Sequence, residues 1–397
     1  MNSAPNANRL HIAIYGRRNS GKSSLINAIT GEETSVVSNV AGTTTDTVAR
    51  AMELHSIGAV LWIDTPGFDD IGEMGAKRVA RAQRTTERTD IAFLLFDEGD
   101  MAQEREWFAK LRERNTPVVA VINKVDIRNN IPQLMSEVES IVGEAPLLVS
   151  ANRGIDIEII REAILRKIEP TNTSRRITAG LAAKGDVVVL VMPQDAQAPK
   201  GRLILPQVQT LRELLDIGAI AVSCSTEELA KTLESLAASP KLIITDSQIF
   251  NTVYALKPEE SMLTSFSILM ASFKGDITSF VEGAAAIESL TTRSRVLIAE
   301  ACAHAPIAED IGRIKLPRML RKMVGEELQI DIVSGRNFPE DLTPYSLIIH
   351  CGACMFNRKY MMHRVEQAAR AGVAITNYGV AIAHIGGILD KVVLGEE

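Results

Sequence analysis

The sequence predicts an α/β fold that begins with a parallel-sheet domain, and three observations support this. Short apolar runs alternate with amphipathic helical patterns from residue 9 to residue 170. Two regions further along the chain show the same alternation. A glycine-rich loop follows the first apolar run and opens a helix, as phosphate-binding loops do. With 397 residues, 46% of them hydrophobic, the chain can form two or three packed domains.

Apolar runs bounded by turn residues are the predicted strands. A polar, turn-rich stretch at residues 169–176 predicts the first linker. We find no internal repeat in the sequence. The predicted strands of the first region are residues 10–15, 60–63, 91–96, 118–122 and 147–149. Those of the middle and last regions are residues 187–192, 219–223, 242–245, 295–299, 346–349 and 373–376. The predicted domains are residues 1–171, 172–269 and 270–397.

The composition disfavours nucleic acid and membranes as the main partners. The formal net charge is −6 and aromatic residues make up only 4%, so basic and stacking surfaces are scarce. No apolar run reaches the ~18–20 residues that span a bilayer. The polar first nine residues lack the apolar middle of a signal peptide. We therefore expect a cytoplasmic protein, whose clustered cysteines serve as metal ligands or redox groups.

Residues 16–23 fit the phosphate-binding pattern Gly-x-x-x-x-Gly-Lys-Ser. Its glycines let the backbone wrap phosphates, and amide hydrogens at the helix N-terminus face the anion. Lys22 is placed to reach the β- and γ-phosphates, and the Ser23 hydroxyl to ligate Mg²⁺. The nucleotide-binding residues predicted here are Gly16, Asn19, Ser20, Gly21, Lys22, Ser23 and Ser24.

Four further motifs follow in the order expected of a guanine-nucleotide site, three of them where predicted strands end. A threonine-rich stretch is expected to close over the γ-phosphate, and an Asp-Thr-Pro-Gly segment to hold Mg²⁺ and sense that phosphate. The last two motifs are expected to read guanine and to close over the base. The residues concerned are Thr43 and Thr44; Asp64 and Gly67; Asn123, Lys124 and Asp126; and Ser150, Ala151 and Asn152. The predicted Mg²⁺ ligands are Ser23, Asp64 and Thr44, with Thr43 as the alternative to Thr44.

These motifs resemble those of translation-factor-like GTPases, most closely the tRNA-modification GTPase branch. That branch has Gly-x-Pro-Asn-x-Gly-Lys-Ser; here Asn19 is kept and Arg18 replaces the proline. The resemblance implies GTP hydrolysis with Lys22, Asn19 and Thr44 as catalytic residues, Asn19 binding a K⁺ ion that replaces an arginine finger. Phe68 stands where small signalling GTPases orient water with glutamine, so we expect slow intrinsic hydrolysis. The candidates to position the attacking water are Asp69, Asp70 and Glu73.

Three of the four cysteines occur in two short motifs near the ends of predicted strands. Cys302-Ala-His304 follows one strand and His350-Cys351-Gly-Ala-Cys354 follows the next. Adjacent parallel strands would bring the three thiols to one crevice, and the dipole of the helix that follows favours an anionic cluster there. Zinc, a redox disulfide and an iron–sulfur cluster all remain open, because thiolate ligation alone does not separate iron–sulfur from zinc.

A GTPase domain, a motif-poor middle region and this cysteine pattern together resemble one family, HydF, the maturation GTPase of [FeFe]-hydrogenases. The resemblance covers essentially the whole chain. It implies a P-loop GTPase domain, a smaller α/β dimerisation domain at residues 172–269 and an α/β iron–sulfur cluster-binding domain at residues 270–397. It also implies a homodimer and two classes of partner, apo-[FeFe]-hydrogenase and the radical-SAM maturases.

The resemblance places a 4Fe-4S cluster on Cys302, Cys351 and Cys354. Ala353 stands where the family often has a second glycine, a small change that we expect to be tolerated. No fourth cysteine lies nearby, so the fourth iron takes a weaker ligand that can be displaced. The candidates for that ligand are water, His304, His350 and Glu309.

The expected function is therefore that of a GTP-hydrolysing scaffold or carrier. Its cofactors would be GTP, Mg²⁺, K⁺ and the 4Fe-4S cluster, with a transient di-iron subcluster precursor that it assembles or delivers to apo-hydrogenase. Two alternatives remain open at this point. One is a GTPase in tRNA modification or ribosome assembly, and the other is a zinc- or redox-responsive GTPase switch.

Overall fold

The computed structural model describes residues 5–31, 48–69, 73–154, 157–168, 175–194, 201, 203–301 and 310–395. The chain forms two compact units, Met1–Ser174 and Arg175–Glu397. Both units consist of mainly parallel sheets with helices, which confirms the predicted α/β fold class. The division into three domains stays a prediction. No helix in the described ranges is long and apolar enough to cross a membrane.

The first unit contains a six-stranded sheet in the order β2-β3-β1-β4-β5-β6. Its strands are β1 (Leu10–Tyr15), β2 (Ala49–Leu54), β3 (Gly58–Asp64), β4 (Ile91–Phe96), β5 (Val118–Ile122) and β6 (Leu147–Leu148). The strands pair in parallel except β2, which runs antiparallel to β3 at the edge. β2 was not predicted from the sequence, because an edge strand with partly exposed residues has no continuous apolar run.

Helices cover both faces of this sheet and create two hydrophobic cores. On one face Trp62 packs edge-on against Phe93, with ring centroids 5.2 Å apart. On the other face Tyr15 and Phe68 each stack on Trp107 at 5.4 Å. The helices are α1 (Lys22–Thr30), α2 (Glu73–Thr86), α3 (Ala102–Glu113), α4 (Ile131–Val142) and α5 (Ile157–Lys167). The carboxyl ends of β1, β3, β5 and β6 carry the nucleotide motifs.

The second unit contains two four-stranded parallel sheets, in the orders β10-β9-β7-β8 and β12-β11-β13-β14. Each sheet places its second strand beside its first, then its third and fourth on the other side, so the two share one topology. The chain therefore repeats a fold without a repeat in its sequence. The strands are β7 (Val187–Val191), β8 (Ile220–Cys224), β9 (Leu242–Thr245), β10 (Met262–Ser265), β11 (Arg295–Glu300), β12 (Gln329–Ser334), β13 (Leu347–His350) and β14 (Ala374–Asn377).

One continuous hydrophobic core joins these two sheets, from Val189 and Ile243 in the first to Ile298 and Ile348 in the second. Helix α9 links them directly, because it contacts α6 on one side and α12 and α13 on the other. The helices are α6 (Leu205–Asp216), α7 (Leu229–Ser235), α8 (Phe250–Leu256), α9 (Phe266–Lys274), α10 (Ile277–Ala285), α11 (Leu316–Val324), α12 (Arg358–Arg370) and α13 (Tyr378–Ile385). The two sheets thus pack as one body.

Helix α10 lies directly on β14, and Gly283 makes this close approach possible. A Cβ atom at this position would overlap the Ile375 carbonyl oxygen and lie 2.6 Å from its carbonyl carbon. We expect Gly283→Ala to lower the free energy of unfolding by about 2–3 kcal/mol, because a helix and a strand must separate to admit the methyl group. Urea unfolding followed by circular dichroism measures this. Glu282→Ala, an exposed neighbour, is the control; an unchanged midpoint for Gly283→Ala would contradict the tight contact.

Candidate functional site

The phosphate-binding loop joins β1 to α1 and is folded around the amine of Lys22. Nζ donates to the carbonyl oxygens of Gly16 at 3.0 Å and Arg17 at 2.7 Å. Asn19 has a left-handed φ of 59°, a conformation that asparagine adopts more readily than most residues. The buried Lys22 side chain is therefore already held over the turn that surrounds the phosphates in this motif.

The predicted Mg²⁺ ligands of the described chain lie together. The Ser23 hydroxyl donates to Oδ2 of Asp64 at 2.5 Å, at the end of β3. Burial raises the pKa of Asp64, while the Ser23 hydrogen bond lowers it. Oδ1 of Asp64 is buried and, among the described residues, accepts no hydrogen bond. A hydroxyl beside an unsatisfied carboxylate oxygen fits Mg²⁺ and its water shell. The predicted Thr43 and Thr44 lie outside the described residues.

The segment after β3 returns to the phosphate-binding loop. The backbone N–H of Arg18 donates to Oδ1 of Asp69 at 2.6 Å. Gly67 packs so closely that an added Cβ atom would lie 2.8 Å from the Arg18 nitrogen. Gly67 therefore lies against the phosphate-binding loop, and its role as γ-phosphate sensor stays a prediction. Asp69 is occupied by the loop, and Phe68 is buried on Trp107 rather than turned toward the site. Asp70 and the Glu73 side chain lie outside the described residues.

An ion pair between a half-buried arginine and a buried carboxylate, which was not predicted from the sequence, anchors the same loop. Arg17 contacts Glu104 of α3 through two pairs of atoms, Nε–Oε1 at 2.7 Å and Nη2–Oε2 at 2.8 Å. Glu104 is completely buried, which raises its pKa, while Arg17 lowers it. Paired charges of this kind hold their elements in one arrangement, since either partner alone would be costly to bury. The sequence signal was an acidic residue on the apolar face that contains Trp107.

Asn123 connects the loop to both base-reading motifs. Its Nδ2 donates to the Ser20 carbonyl at 3.2 Å, and its Oδ1 accepts from the backbone nitrogens of Lys124 at 2.8 Å and Ala151 at 3.1 Å. Lys124 donates from Nζ to the carbonyl of Asn19 at 2.6 Å. The three motifs therefore form one hydrogen-bonded unit. Ser24 and Asn152 are exposed at its margin.

Asp126 is prepared to accept hydrogen bonds from a base. The Ser150 hydroxyl donates to its Oδ1 at 2.7 Å, and this bond lowers the pKa of the carboxyl. An ionised carboxylate here can accept from N1–H and N2–H of guanine. The geometry thus supports the predicted guanine contact.

We expect Asp126→Asn to weaken GTP binding on the order of 10²-fold, because an amide presents a donor to the guanine edge where two acceptor contacts are needed. XTP, which has an acceptor at that position, should bind the variant better than GTP does. Competition against a fluorescent guanine nucleotide measures both affinities. Glu137→Gln on the exposed face of α4 is the charge-matched control. Equal GTP affinity in Asp126→Asn would remove Asp126 from the base site.

The cysteine motif after β13 contacts the chain that leads to the other cysteine. The backbone nitrogen of Ala301 donates to Sγ of Cys351 at 3.0 Å, and the Cys351 nitrogen donates to the carbonyl of Ala299 at 2.9 Å. Ala301 directly precedes Cys302. Three predicted ligands lie outside the described residues: Cys302, His304 and Glu309. Within the described ranges, His, Cys, Asp and Glu side chains form no group of three or more suited to a metal ion.

The carboxyl ends of β11 and β13 meet where the strand order of the last sheet reverses. The chain passes from β11 to β12 on one side and returns to β13 on the other. In open α/β sheets, ligands bind in the crevice at this point. The His350–Cys354 motif therefore begins at the position where this topology provides a ligand site, beside the end of β11.

Both ring nitrogens of His350 already have partners. Nε2 lies 2.6 Å from Nη1 of Arg364, and Nδ1 lies 2.8 Å from the Cys351 carbonyl. A guanidinium only donates, so Nε2 accepts and Nδ1 carries the hydrogen. Burial, reinforced by Arg364, lowers the pKa of His350 to about 3, which keeps the ring neutral. His350 would have to lose one of these bonds to bind iron, and its role as fourth ligand stays a prediction.

Arg364 is a buried cation without a carboxylate partner among the described residues. Its guanidinium carbon lies 4.6 Å from the ring centroids of Phe338 and Phe356 and 4.8 Å from that of Tyr360. Nη2 donates to the Gly335 carbonyl at 2.7 Å. The aromatic rings offset part of the cost of burying this charge. A positive charge is thus fixed next to the cysteine motif.

Ala353, between the two cysteines, has a left-handed φ of 51° and is buried. This conformation costs a residue with a Cβ atom about 1 kcal/mol relative to glycine. The left-handed conformation therefore explains why glycine suits this position, and alanine there lowers the stability of the folded chain by about this amount.

The fold and the loop geometry of the first unit define a P-loop GTPase. A family model described as 50S ribosome-binding GTPase matches residues 11–124. Two more models, described as the hydrogen maturase F dimerization and tetramerization domains, match residues 177–275 and 278–394. These two together match more than half of the chain, and the chain belongs to the hydrogen maturase F family. Its first region matches a GTPase domain, and its last two regions correspond to oligomerisation domains.

Curated relatives match mainly the GTPase region. GTPase Der of Wolinella succinogenes is 38% identical over 185 residues, covering 44% of this chain and 39% of Der. The tRNA modification GTPase MnmE of Nitrosomonas europaea is 33% identical over 160 residues, covering 40% of this chain and 34% of MnmE. The chain thus spans well under half of each of these relatives.

Solved structures show the same partial similarity. A probable GTP-binding protein, engB, has 21% identity and a TM-score of 0.31, covering 40% of this chain and 98% of that one. Era of Aquifex aeolicus has 20% identity and a TM-score of 0.34, covering 64% of this chain and 99% of that one.

Proposed function

We propose that this chain is a cytoplasmic GTP-hydrolysing scaffold that carries a 4Fe-4S cluster and assembles or delivers the di-iron subcluster to apo-[FeFe]-hydrogenase. The contact between Sγ of Cys351 and the backbone of Ala301 carries this proposal. It brings the position next to Cys302 against the Cys351–Cys354 motif, so three thiols can share one site. Membership of the hydrogen maturase F family supports the same assignment.

The donor set fits a thiolate-bound cluster. Cys302, Cys351 and Cys354 would supply three soft ligands, and Arg364 is a buried positive charge that an anionic cluster would balance. The two nitrogens of His350 are engaged, so the ring does not complete a closed tetrahedral zinc site as it stands. When bound, the cluster would supply an iron whose fourth position accepts an exchangeable ligand.

The remaining parts of the proposal concern the partners. The region at residues 172–269 would form a homodimer, and radical-SAM maturases would provide the di-iron precursor. GTP turnover would drive exchange of partners rather than chemistry on the cluster. We infer this because the nucleotide motifs and the cysteines belong to different compact units, Met1–Ser174 and Arg175–Glu397.

Metal analysis of the anaerobically purified chain tests the cluster. About four iron and four sulfide per chain would support the proposal, whereas one zinc and no sulfide would overturn it in favour of a zinc-dependent switch. Hydrogen evolution by apo-[FeFe]-hydrogenase mixed with the loaded chain then tests delivery. Tight binding of RNA that weakens steeply with salt would instead favour the RNA-directed alternative.

Asn19 is the proposed K⁺ ligand, which predicts a cation dependence. We expect hydrolysis to be at least about tenfold faster in K⁺ than in Na⁺ at equal ionic strength, because a bound cation stabilises charge in the transition state. Asn19→Ala should abolish the difference between the two cations. Phosphate release under steady-state conditions measures it, with Asn27→Ala on α1 as control. Equal rates in K⁺ and Na⁺ for the unmodified chain would contradict the assignment.

A further inference from the structure

Lys274, the last residue of α9, is buried beneath the cysteine motif. Its side chain is 2% exposed. Nζ donates to the carbonyl oxygens of Phe356 at 2.8 Å, Cys354 at 3.4 Å and Ala353 at 3.5 Å. One ammonium group therefore forms hydrogen bonds to three carbonyls of the segment that contains Cys354.

A second side chain forms hydrogen bonds in the opposite direction, from a residue after the cysteine motif to the end of α9. Arg358 begins α12 just after the cysteine motif, and its Nη1 donates to the carbonyls of Phe273, at 3.4 Å, and Gly275. These carbonyls belong to the C-terminal end of α9, where such groups lack partners within the helix and favour a nearby cation. The end of α9 and the cysteine motif thus exchange hydrogen bonds in both directions.

The charge of Lys274 has no carboxylate partner within the described part of the chain. A buried cation needs a compensating negative charge. The cysteine thiolates are the groups near Lys274 that would provide one.

Resting on the proposed function, we propose that Lys274 is a positioning residue of the cysteine site. It holds the Cys351–Cys354 segment through three carbonyls and places a fixed positive charge against the bound cluster. Lys274 lies in the region that matches the dimerization-domain model, residues 177–275, whereas the cysteines lie in the region of the tetramerization-domain model, residues 278–394. The range matched by the dimerization-domain model therefore contributes a residue to the cysteine site of the range matched by the tetramerization-domain model.

Two substitutions separate the contacts of Lys274 from its charge. Lys274→Met removes both, whereas Lys274→Gln keeps an N–H donor and removes the charge. The matched control is Lys257→Met, because Lys257 also donates to three carbonyls, those of Pro258, Glu259 and Ser261, in a loop far along the chain from the cysteines. Each full-length chain is reconstituted anaerobically with ferrous iron and sulfide. Iron and sulfide content and the reduction potential are then measured.

We expect Lys274→Met to hold at most half of the wild-type iron. Lys274→Gln should load but reduce at a lower potential, because a nearby cation stabilises the more negative reduced form. A tenfold shift in the ratio of reduced to oxidised cluster corresponds to about 59 mV for one electron. Lys257→Met should match the wild type in both measurements. A folded Lys274→Gln variant with wild-type loading and potential would overturn the proposal, even where Lys274→Met does not fold.

The same experiment distinguishes this inference from the proposed function. A wild-type chain that holds zinc without iron or sulfide would overturn the proposed function, and the role of Lys274 with it. A wild-type chain that holds the cluster, beside Lys274 variants that behave identically, would overturn only the role of Lys274.

Discussion

We expect Lys22→Ala to hydrolyse GTP about 10²–10³-fold more slowly than the wild-type chain, while its iron content stays the same. The amine of Lys22 is buried and held by the Gly16 and Arg17 carbonyls, so it is preorganised over the phosphate-binding turn. Fixed positive charge of this kind stabilises the transition state of phosphoryl transfer without reorganisation. Alanine removes the charge together with the two hydrogen bonds that the amine donates to the loop.

The iron content should not change because Lys22 and the cysteines belong to different compact units. Phosphate release under steady-state conditions and iron analysis of the same anaerobic preparation measure the two properties together. Lys110→Ala, on the exposed side of α3, is the control for loss of a lysine. A Lys22→Ala chain without iron would show that nucleotide binding is needed to load the cluster, and the proposed independence of the two sites would be wrong.

Most of the fold was predictable because buried parallel strands appear as continuous apolar runs. β1, β4 and β5 are almost entirely buried and were predicted at the observed positions. β2, β10 and β12 were missed, and all three lie at sheet edges. β2 and β12 have partly exposed residues, whereas β10 is a largely buried strand of only four residues. The shared topology of the two C-terminal sheets was also missed, since topology depends on strand order and leaves no repeat in the sequence.

The site was predictable where motifs determine local backbone structure. The loop at Lys22 and the pair formed by Asp64 and Ser23 follow from short sequence patterns that end at strands. The contacts of Arg17 with Glu104, and of Lys274 with the cysteine segment, join residues that are 87 and about 80 positions apart. Such contacts depend on how elements pack, and the local sequence does not identify the partner residue.

We expect Cys354→Ser to lose at least half of the bound iron and most of the iron–sulfur absorption. Serine is a harder ligand whose hydroxyl stays protonated, so one of three thiolates would be lost from the cluster. The loss of metal affinity should exceed the loss of about 10–100-fold that is typical when a residue that only supports a ligand is changed. Cys351→Ser should behave in the same way. Iron and sulfide analysis with visible absorption, after anaerobic reconstitution, measures the loss.

Cys224→Ser is the matched control, because Cys224 lies at the end of β8 in the other sheet of the same unit. Burial raises the pKa of the Cys224 thiol, as it does that of Cys354, so the two cysteines differ in their position in the fold and not in the direction of this shift. Equal loss of iron in Cys224→Ser and Cys354→Ser would mean that the iron is lost because the protein is destabilised, and not because a ligand is missing. Loss confined to Cys351 and Cys354 would identify these thiols as ligands, since all three substitutions exchange sulfur for oxygen at a partly buried position.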